Sequence, residues 1–391
     1  MIARSITHRL IELLGFFPAV TLTGARQVGK TTLARSLTDK YAKPVRYFDL
    51  ERLDDYQRLS NDPGFFLSQF QDDLVIIDEV QRLPELFTEL RALIDEYRVP
   101  GRFLLLGSAS PLLMRKSSES LAGRVAYLTL YPFSLEEIGA SKELLKSHWW
   151  RGGFPDSWLA PSEEWSFEWR EEFIKTYVER DLPFLGLQTD PIRFRTFLQM
   201  LSAQHGNLWN AATLARSLGI SGNTVKRYLN FLEASFIALV LRPFHTNIKK
   251  RLVKSPKVYF SDSGLLHALL GIRQSKDLPV HPSAGASWEG YVISECLKHL
   301  PKGIDPYFFR TSDGTECDLL LVQGNRPLSC IEIKLGNVVK PSQGFYNIIE
   351  TLDTKQNFIL TYDSDTWQIR PDISVMSLIS FLKKLPELGA Q

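Results

Sequence analysis

Cysteine is nearly absent. The 391-residue chain has three, Cys296, Cys317 and Cys330, too few and too far apart for a disulfide framework or a zinc site, so they are expected as buried thiols. Also missing is any apolar run of about twenty residues without a charge, which excludes a membrane-spanning helix. The segment Met1 to Phe17 mixes Arg4, Arg9 and Glu12 among apolar residues at helical spacing. That differs from the uninterrupted centre of a signal peptide, and predicts an amphipathic helix and a cytoplasmic location without membrane contact. A strong charge of one sign is lacking too. With 46 basic and 44 acidic side chains the net charge is +2, so nucleic-acid binding requires a local cluster rather than an overall basic field. Repeats and low-complexity tracts do not occur, which leaves a globular chain too long for one core, with about two to four domains.

One local cluster is present. No acid occurs from Ala234 to Ser261, which holds Arg242, Lys249, Lys250, Arg251, Lys254 and Lys257. Taken alone, such a run reads equally as a solvated face or a nucleic-acid surface.

The most specific chemistry lies near the start. Pro18 to Thr23 reads as a short buried strand and Lys30 to Tyr41 carries helical periodicity, so the loop Gly24-Ala25-Arg26-Gln27-Val28-Gly29-Lys30-Thr31 sits at a strand-to-helix junction. There its N–H groups converge on phosphates, helped by the helix dipole. Gly24, Arg26, Gln27, Val28, Gly29, Lys30, Thr31 and Thr32 are the candidate ATP contacts. Lys30 would reach the β- and γ-phosphates, and Thr31 would place its hydroxyl on Mg²⁺. Leu74-Val75-Ile76-Ile77-Asp78-Glu79 reads as a buried strand ending in two carboxylates. Asp78 would hold Mg²⁺ through water and Glu79 would orient or deprotonate the attacking water, which favours hydrolysis over transfer to a metabolite. Val45 to Leu50, Arg102 to Leu106 and Val125 to Leu130 complete five strands. Ser108, at a strand end, is placed to read the γ-phosphate. Arg124 has no acidic partner in its segment Ser120 to Arg124 and could reach a neighbouring subunit's phosphate, where such a finger is worth roughly 10³ or more in rate.

From GARQVGKTTLAR, LVIIDEVQRLPEL, LLLGSAS, SLAGR and Arg151-Gly152-Gly153-Phe154-Pro155, nearly the whole chain resembles the AAA-type ATPases of bacteria and archaea that carry a carboxy-terminal restriction-endonuclease-like domain of unknown function. The resemblance implies a sensor role for Ser108, a finger role for Arg124, a second sensor arginine at Arg170 or Arg180, and a homo-oligomer, a ring such as a hexamer.

Between Leu135 and Gln204 amphipathic helical stretches carry Trp149, Trp150, Trp158, Trp165 and Trp169. This is a helical lid whose aromatics serve packing or base stacking. From Asn210 the sequence reads helix, turn at Gly219, and a second helix Gly222 to Ala234 capped by Ser221, with Val225, Tyr228, Leu229 and Leu232 inward. Asn223, Thr224, Lys226 and Arg227 then face outward at the helix start, where helix-turn-helix proteins contact DNA. Phe236 to Leu241 and Asn247 to Lys257 follow as a wing, adding Lys249, Lys250 and Arg251 as candidate DNA contacts.

Trp288 to Leu300 reads as a helix with Glu289 in its first turn, followed by strands Thr315 to Val322 and Leu328 to Leu335 around the turn Gln323 to Pro327. A hairpin centred on Asn325 sets Asp318 opposite Glu332, with side chains about 5 Å apart, and Glu332 and Lys334 on one face. This set resembles that of restriction-endonuclease-like nucleases, which implies Mg²⁺ on Asp318, Glu332 and Glu289 with Lys334 steadying water or phosphate. The alternative is a cross-strand salt bridge for Lys334 and a helix-dipole role for Glu289.

The expected fold is α/β: a P-loop AAA-type ATPase core over 1–134, a helical lid over 135–204, a winged helix-turn-helix over 205–258, and a restriction-endonuclease-like domain over 259–391. The expected function is an oligomeric ATPase, with ATP and Mg²⁺, acting on DNA as a DNA-dependent ATPase or remodelling motor in repair or recombination. Two alternatives stand beside it. One is a nucleotide-driven switch that binds protein partners through an inactive nuclease-like scaffold, the other an ATP-regulated, metal-dependent DNA nuclease.

Overall fold

The structure, a computed structural model, describes residues 2–38, 41–107, 121–184, 186–245, 252–336 and 339–389. It divides into two compact units, Met1–Phe133 with Asn230–Phe236, and Ser134–Leu229 with Ile237–Gln391.

In the first unit, β1 (Ala19–Thr23), β2 (Val45–Asp49), β3 (Leu74–Asp78), β4 (Phe103–Leu106) and β5 (Val125–Thr129) form a wholly parallel sheet in the order β2-β3-β4-β1-β5. β1, β3 and β4 are buried at every position, which explains their unbroken apolar character: helices cover both faces of such a sheet. The chain leaves β1, crosses to the far edge and returns, so the carboxyl ends of β1 and β3 flank β4, the crevice where open α/β sheets bind ligands. The helix after the glycine loop is shorter than its periodicity predicts, ending at Arg35 rather than Tyr41. Ser36 turns its hydroxyl onto the Leu33 carbonyl at 2.7 Å, and Leu37 and Thr38 then bond three residues back, which tightens the helix into turns.

The second unit begins with helices Lys142–Arg151, Pro155–Trp158, Glu163–Thr176 and Pro191–Ala203, a helical middle region as read. Trp149 and Trp150 are core residues, while Trp165 is exposed, so packing accounts for the first two. Arg151 to Pro155 owes its glycines to close approach. Gly152 has φ +74, and a Cβ there would lie 2.1 Å from Asp262 Oδ1. That carboxylate accepts from Gly153 N–H at 2.7 Å and caps the helix Ser263–Leu269 through Leu265 N–H at 3.0 Å. Gly152→Ala is therefore expected to lower stability by about 2–4 kcal/mol, read as an earlier denaturant midpoint at unchanged m.

Helix Ala211–Leu218 is capped by Asn210 and ends at Gly219 (φ 63), and Ser221 accepts from Thr224 N–H at 3.1 Å at the start of helix Gly222–Ala234. A two-stranded antiparallel ribbon follows, β6 (Ala238–Leu241) with β7 (Lys257–Phe260). The carboxy-terminal sheet is mixed, in the order β12-β13-β11-β10-β9-β8, built from β8 (Ile304–Arg310), β9 (Glu316–Gln323), β10 (Arg326–Ile333), β11 (Asn357–Thr361), β12 (Trp367–Arg370) and β13 (Ile373–Ser377). Helix Ala284–Lys298 precedes it. Cys296, Cys317 and Cys330 are buried free thiols. Among the described residues no helix is long and apolar enough to cross a membrane.

Candidate functional site

Because β1 ends against β5, the backbone at Gly24 passes so close to the Leu130 carbonyl that a Cβ would lie 2.3 Å from its oxygen. Gln27 (φ 61) and Gly29 (φ 92) take left-handed angles on either side of Val28, the alternation that turns successive N–H groups into one concavity. Helix Lys30–Arg35 starts there. Lys30 is buried, and its ammonium donates to the carbonyls of Ala25 at 2.8 Å and Gly24 at 3.2 Å. Burial lowers its pKa to about 8 against the pull of Glu79 and Asp78.

Asp78 ends β3 almost fully buried. Its Oδ2 accepts from the Thr31 hydroxyl at 2.6 Å and the Tyr47 hydroxyl at 2.6 Å, and its Oδ1 from Glu79 N–H at 2.9 Å. A hydroxyl and a carboxylate in direct contact at a helix start are a hard oxygen pair of the kind Mg²⁺ takes, so these residues fit the ion. Glu79 sits at φ 54, its carboxylate accepts from the Gln81 amide, and burial raises its pKa above the usual range, opposed by Lys30. Arg26 is half-buried, 3.9 Å from Glu51, which also pairs with Arg82 at 3.2 Å. Thr32 is exposed. Tyr47 and Gln81 belong to this arrangement and were missed. Tyr47 follows an alternating pattern on β2, and Gln81 lies two residues beyond Glu79, so neither position is marked by residue type.

Ser108 lies outside the described residues, as do Lys249, Lys250 and Arg251. Arg124 has the acidic partner its own segment lacks: Asp95, 29 residues earlier, takes its Nε at 2.5 Å and Nη2 at 2.8 Å as a bidentate pair. Arg170 is not available to a phosphate. It is fully buried, donates to the carbonyls of Trp150, Gly264 and Ser166, and stacks over Trp150 at 4.3 Å. Arg180 is exposed in the π-helical segment Tyr177–Asp181.

On helix Gly222–Ala234, Asn223, Lys226 and Arg227 are exposed and Thr224 is half-buried against Ser221. Lys257 departs from the expected basic face. Its side chain is 4% exposed, and its ammonium bonds Glu289 at 2.8 Å and Glu316.

The carboxy-terminal carboxylates also differ from expectation. The hairpin turn is Gly324-Asn325 alone, and an irregularity between Pro327 and Ser329 shifts the register by one, after which Ile331 faces Leu319. The paired register ends there, one residue short of Asp318 and Glu332. Their carboxylates are spent separately, Asp318 Oδ2 on Ile333 N–H at 2.8 Å and Glu332 on Lys334 at 2.7 Å. Helix Ala284–Lys298 starts four residues before the expected Trp288, which carries Glu289 out of the first turn and removes its dipole role. The acids gathered within 4.8 Å of one another are Glu289, Glu316 and Asp318, with Glu316 unforeseen and Glu332 not among them. Burial, then Glu289, push Asp318 up to about 7. Burial opposes charge on Lys257, but Glu289, Asp318 and Glu316 hold its ammonium above the usual lysine range. With that ammonium among them, the acids do not fit a divalent ion.

Residues 17–139 match an AAA domain family (AAA_14), residues 142–276 a domain of unknown function (DUF8612) and residues 284–381 a further domain of unknown function (DUF4143). A parallel five-stranded sheet with this loop at the end of β1 and Asp78 at the end of β3 defines a P-loop ATPase of the AAA_14 kind. Over 332 residues the chain is 43% identical to the uncharacterized protein Rv2008c of Mycobacterium tuberculosis and to the uncharacterized protein Mb2031c of Mycobacterium bovis, covering 85% of this chain and 73% of each relative. The chain belongs to the family of these mycobacterial proteins. Among solved structures, the Walker-type ATPase PABY2304 of Pyrococcus abyssi is 16% identical, with a TM-score of 0.49 over 69% of this chain and 96% of that one.

Proposed function

We propose that the chain couples ATP hydrolysis to DNA contact, with the start of helix Gly222–Ala234 as the DNA-facing element. The observation that carries the reading is the exposure of Asn223, Lys226 and Arg227 on a helix whose first turn is held by the Ser221 cap, the position from which helix-turn-helix proteins reach bases and phosphates. In the hydrolytic step Lys30 neutralises charge on the β- and γ-phosphates and Glu79 orients the attacking water, while Thr31 and Asp78 are the residues that would hold Mg²⁺. When bound, the ion would supply charge compensation on the phosphate oxygens. If subunits assemble so that Arg124 reaches a neighbour's phosphate, that arginine must first leave Asp95.

The test is ATP turnover and binding with single-stranded, duplex and branched DNA. Lys226→Glu with Arg227→Glu is expected to weaken binding about equally across sequences and to reduce the salt slope by about 2. No binding at low salt, together with turnover that DNA does not alter, would overturn the reading. A second reading, a nucleotide switch for protein partners on a nuclease-like scaffold, is favoured by Lys257 lying among the carboxylates, and predicts slow turnover insensitive to DNA.

A further inference from the structure

We infer that the ammonium of Lys257 is the resident cation of the cluster Glu289, Glu316 and Asp318, so that the carboxy-terminal sheet is closed by a cation belonging to the chain itself and takes a divalent metal there only when that lysine is removed.

Three elements meet at this point: β7 brings Lys257, helix Ala284–Lys298 brings Glu289, and β9 brings Glu316 and Asp318. Lys257 and Tyr259 are two apart on β7 and so share a face; both reach Glu289 Oε1, the ammonium at 2.8 Å and the Tyr259 hydroxyl at 2.5 Å. The ammonium also bonds Glu316 Oε1, while Arg310 holds Glu316 Oε2 at 2.7 Å. Phe308 closes one side, its ring centre 5.8 Å from Nζ. Every donor in this arrangement is covalently part of the chain. Three half-buried carboxylates this close repel one another unless a cation lies between them. A divalent ion binding oxygens at about 2.0–2.6 Å would need the place that the ammonium takes. Arg242 and Lys254 of the basic run are exposed, whereas Lys257, its last member and the first residue of β7, turns inward and ties the ribbon to the sheet.

The inference is independent of the ATP site, and Tb³⁺ luminescence tests it, since Tyr259 on Glu289 is placed to sensitise an ion in the cluster. Wild-type protein is expected to give no luminescence that Glu316→Gln removes. Lys257→Met is expected to lose roughly 5–10 °C in Tm in EDTA, to regain most of it in Mn²⁺, and to acquire luminescence that Mn²⁺ displaces and an added Glu316→Gln abolishes. Wild-type luminescence lost in Glu316→Gln would overturn the inference, as would a folded Lys257→Met that stays dark. If Lys257→Met does not fold in EDTA, folding in Mn²⁺ supports the inference. If it folds in neither, the wild-type measurement decides: silence supports the resident lysine and Glu316-dependent binding refutes it.

Discussion

Glu79→Gln is expected to cut ATP turnover by about 10²–10⁴-fold, the usual contribution of a positioned general base, while ATP affinity stays within a few-fold of wild type. The amide keeps the shape of the carboxylate and can still accept from the Gln81 side chain that holds Glu79, so the loop and the Thr31–Asp78 contact should be undisturbed. What is lost is the charge that polarises water. Asp78 cannot take over. It is buried, and its two oxygens already serve Thr31, Tyr47 and the Glu79 N–H. The left-handed backbone at Glu79 (φ 54) is uncommon for a residue with a side chain and turns the carboxylate out of the line of β3. Phosphate release alongside equilibrium binding of a fluorescent ATP analogue separates the two effects. Turnover near wild type would remove Glu79 from the mechanism.

What could be read in the sequence follows from how far each signal reaches along the chain. The glycine loop, the buried strands and the cap-turn-cap pattern from Asn210 to Thr224 are local, and each appears where its residues predict. The hairpin shows the limit. Centring it on Asn325 matches the register that Ser329, Cys330 and Ile331 keep with Leu321, Leu320 and Leu319, although the turn is two residues long and the step comes from an irregularity between Pro327 and Ser329. Interactions between distant segments left no such trace. Asp95 and Arg124 are 29 residues apart, Lys257 and Glu289 are 32 apart, and charged residues carry no periodicity that marks which will meet. Composition even misled at Lys257, because a lysine in an acid-free run reads as exposed until the acids facing it are brought in from another element.

Lys30→Ala should have the second large effect, a loss of ATP affinity of about 10²-fold, corresponding to about 2–3 kcal/mol for charge-assisted hydrogen bonds to phosphate. Its pH signature distinguishes it from general damage. Burial holds the Lys30 pKa at about 8, so above that pH the free protein must take up a proton when it binds ATP, and affinity should fall about tenfold per pH unit. In Lys30→Ala this component of the slope disappears. Stability without nucleotide should move the other way. The unfolded chain keeps the lysine protonated to about 10.4, so between about pH 8 and that value it binds more protons than the folded protein, and the Lys30 contribution to stability rises with pH. Below pH 8 both states are protonated and the full cost of burying the ammonium is present. The difference between wild type and Lys30→Ala in denaturant titrations across this window isolates the contribution. A pH-independent difference in both affinity and stability would mean that Lys30 is not the buried ammonium at the phosphate site.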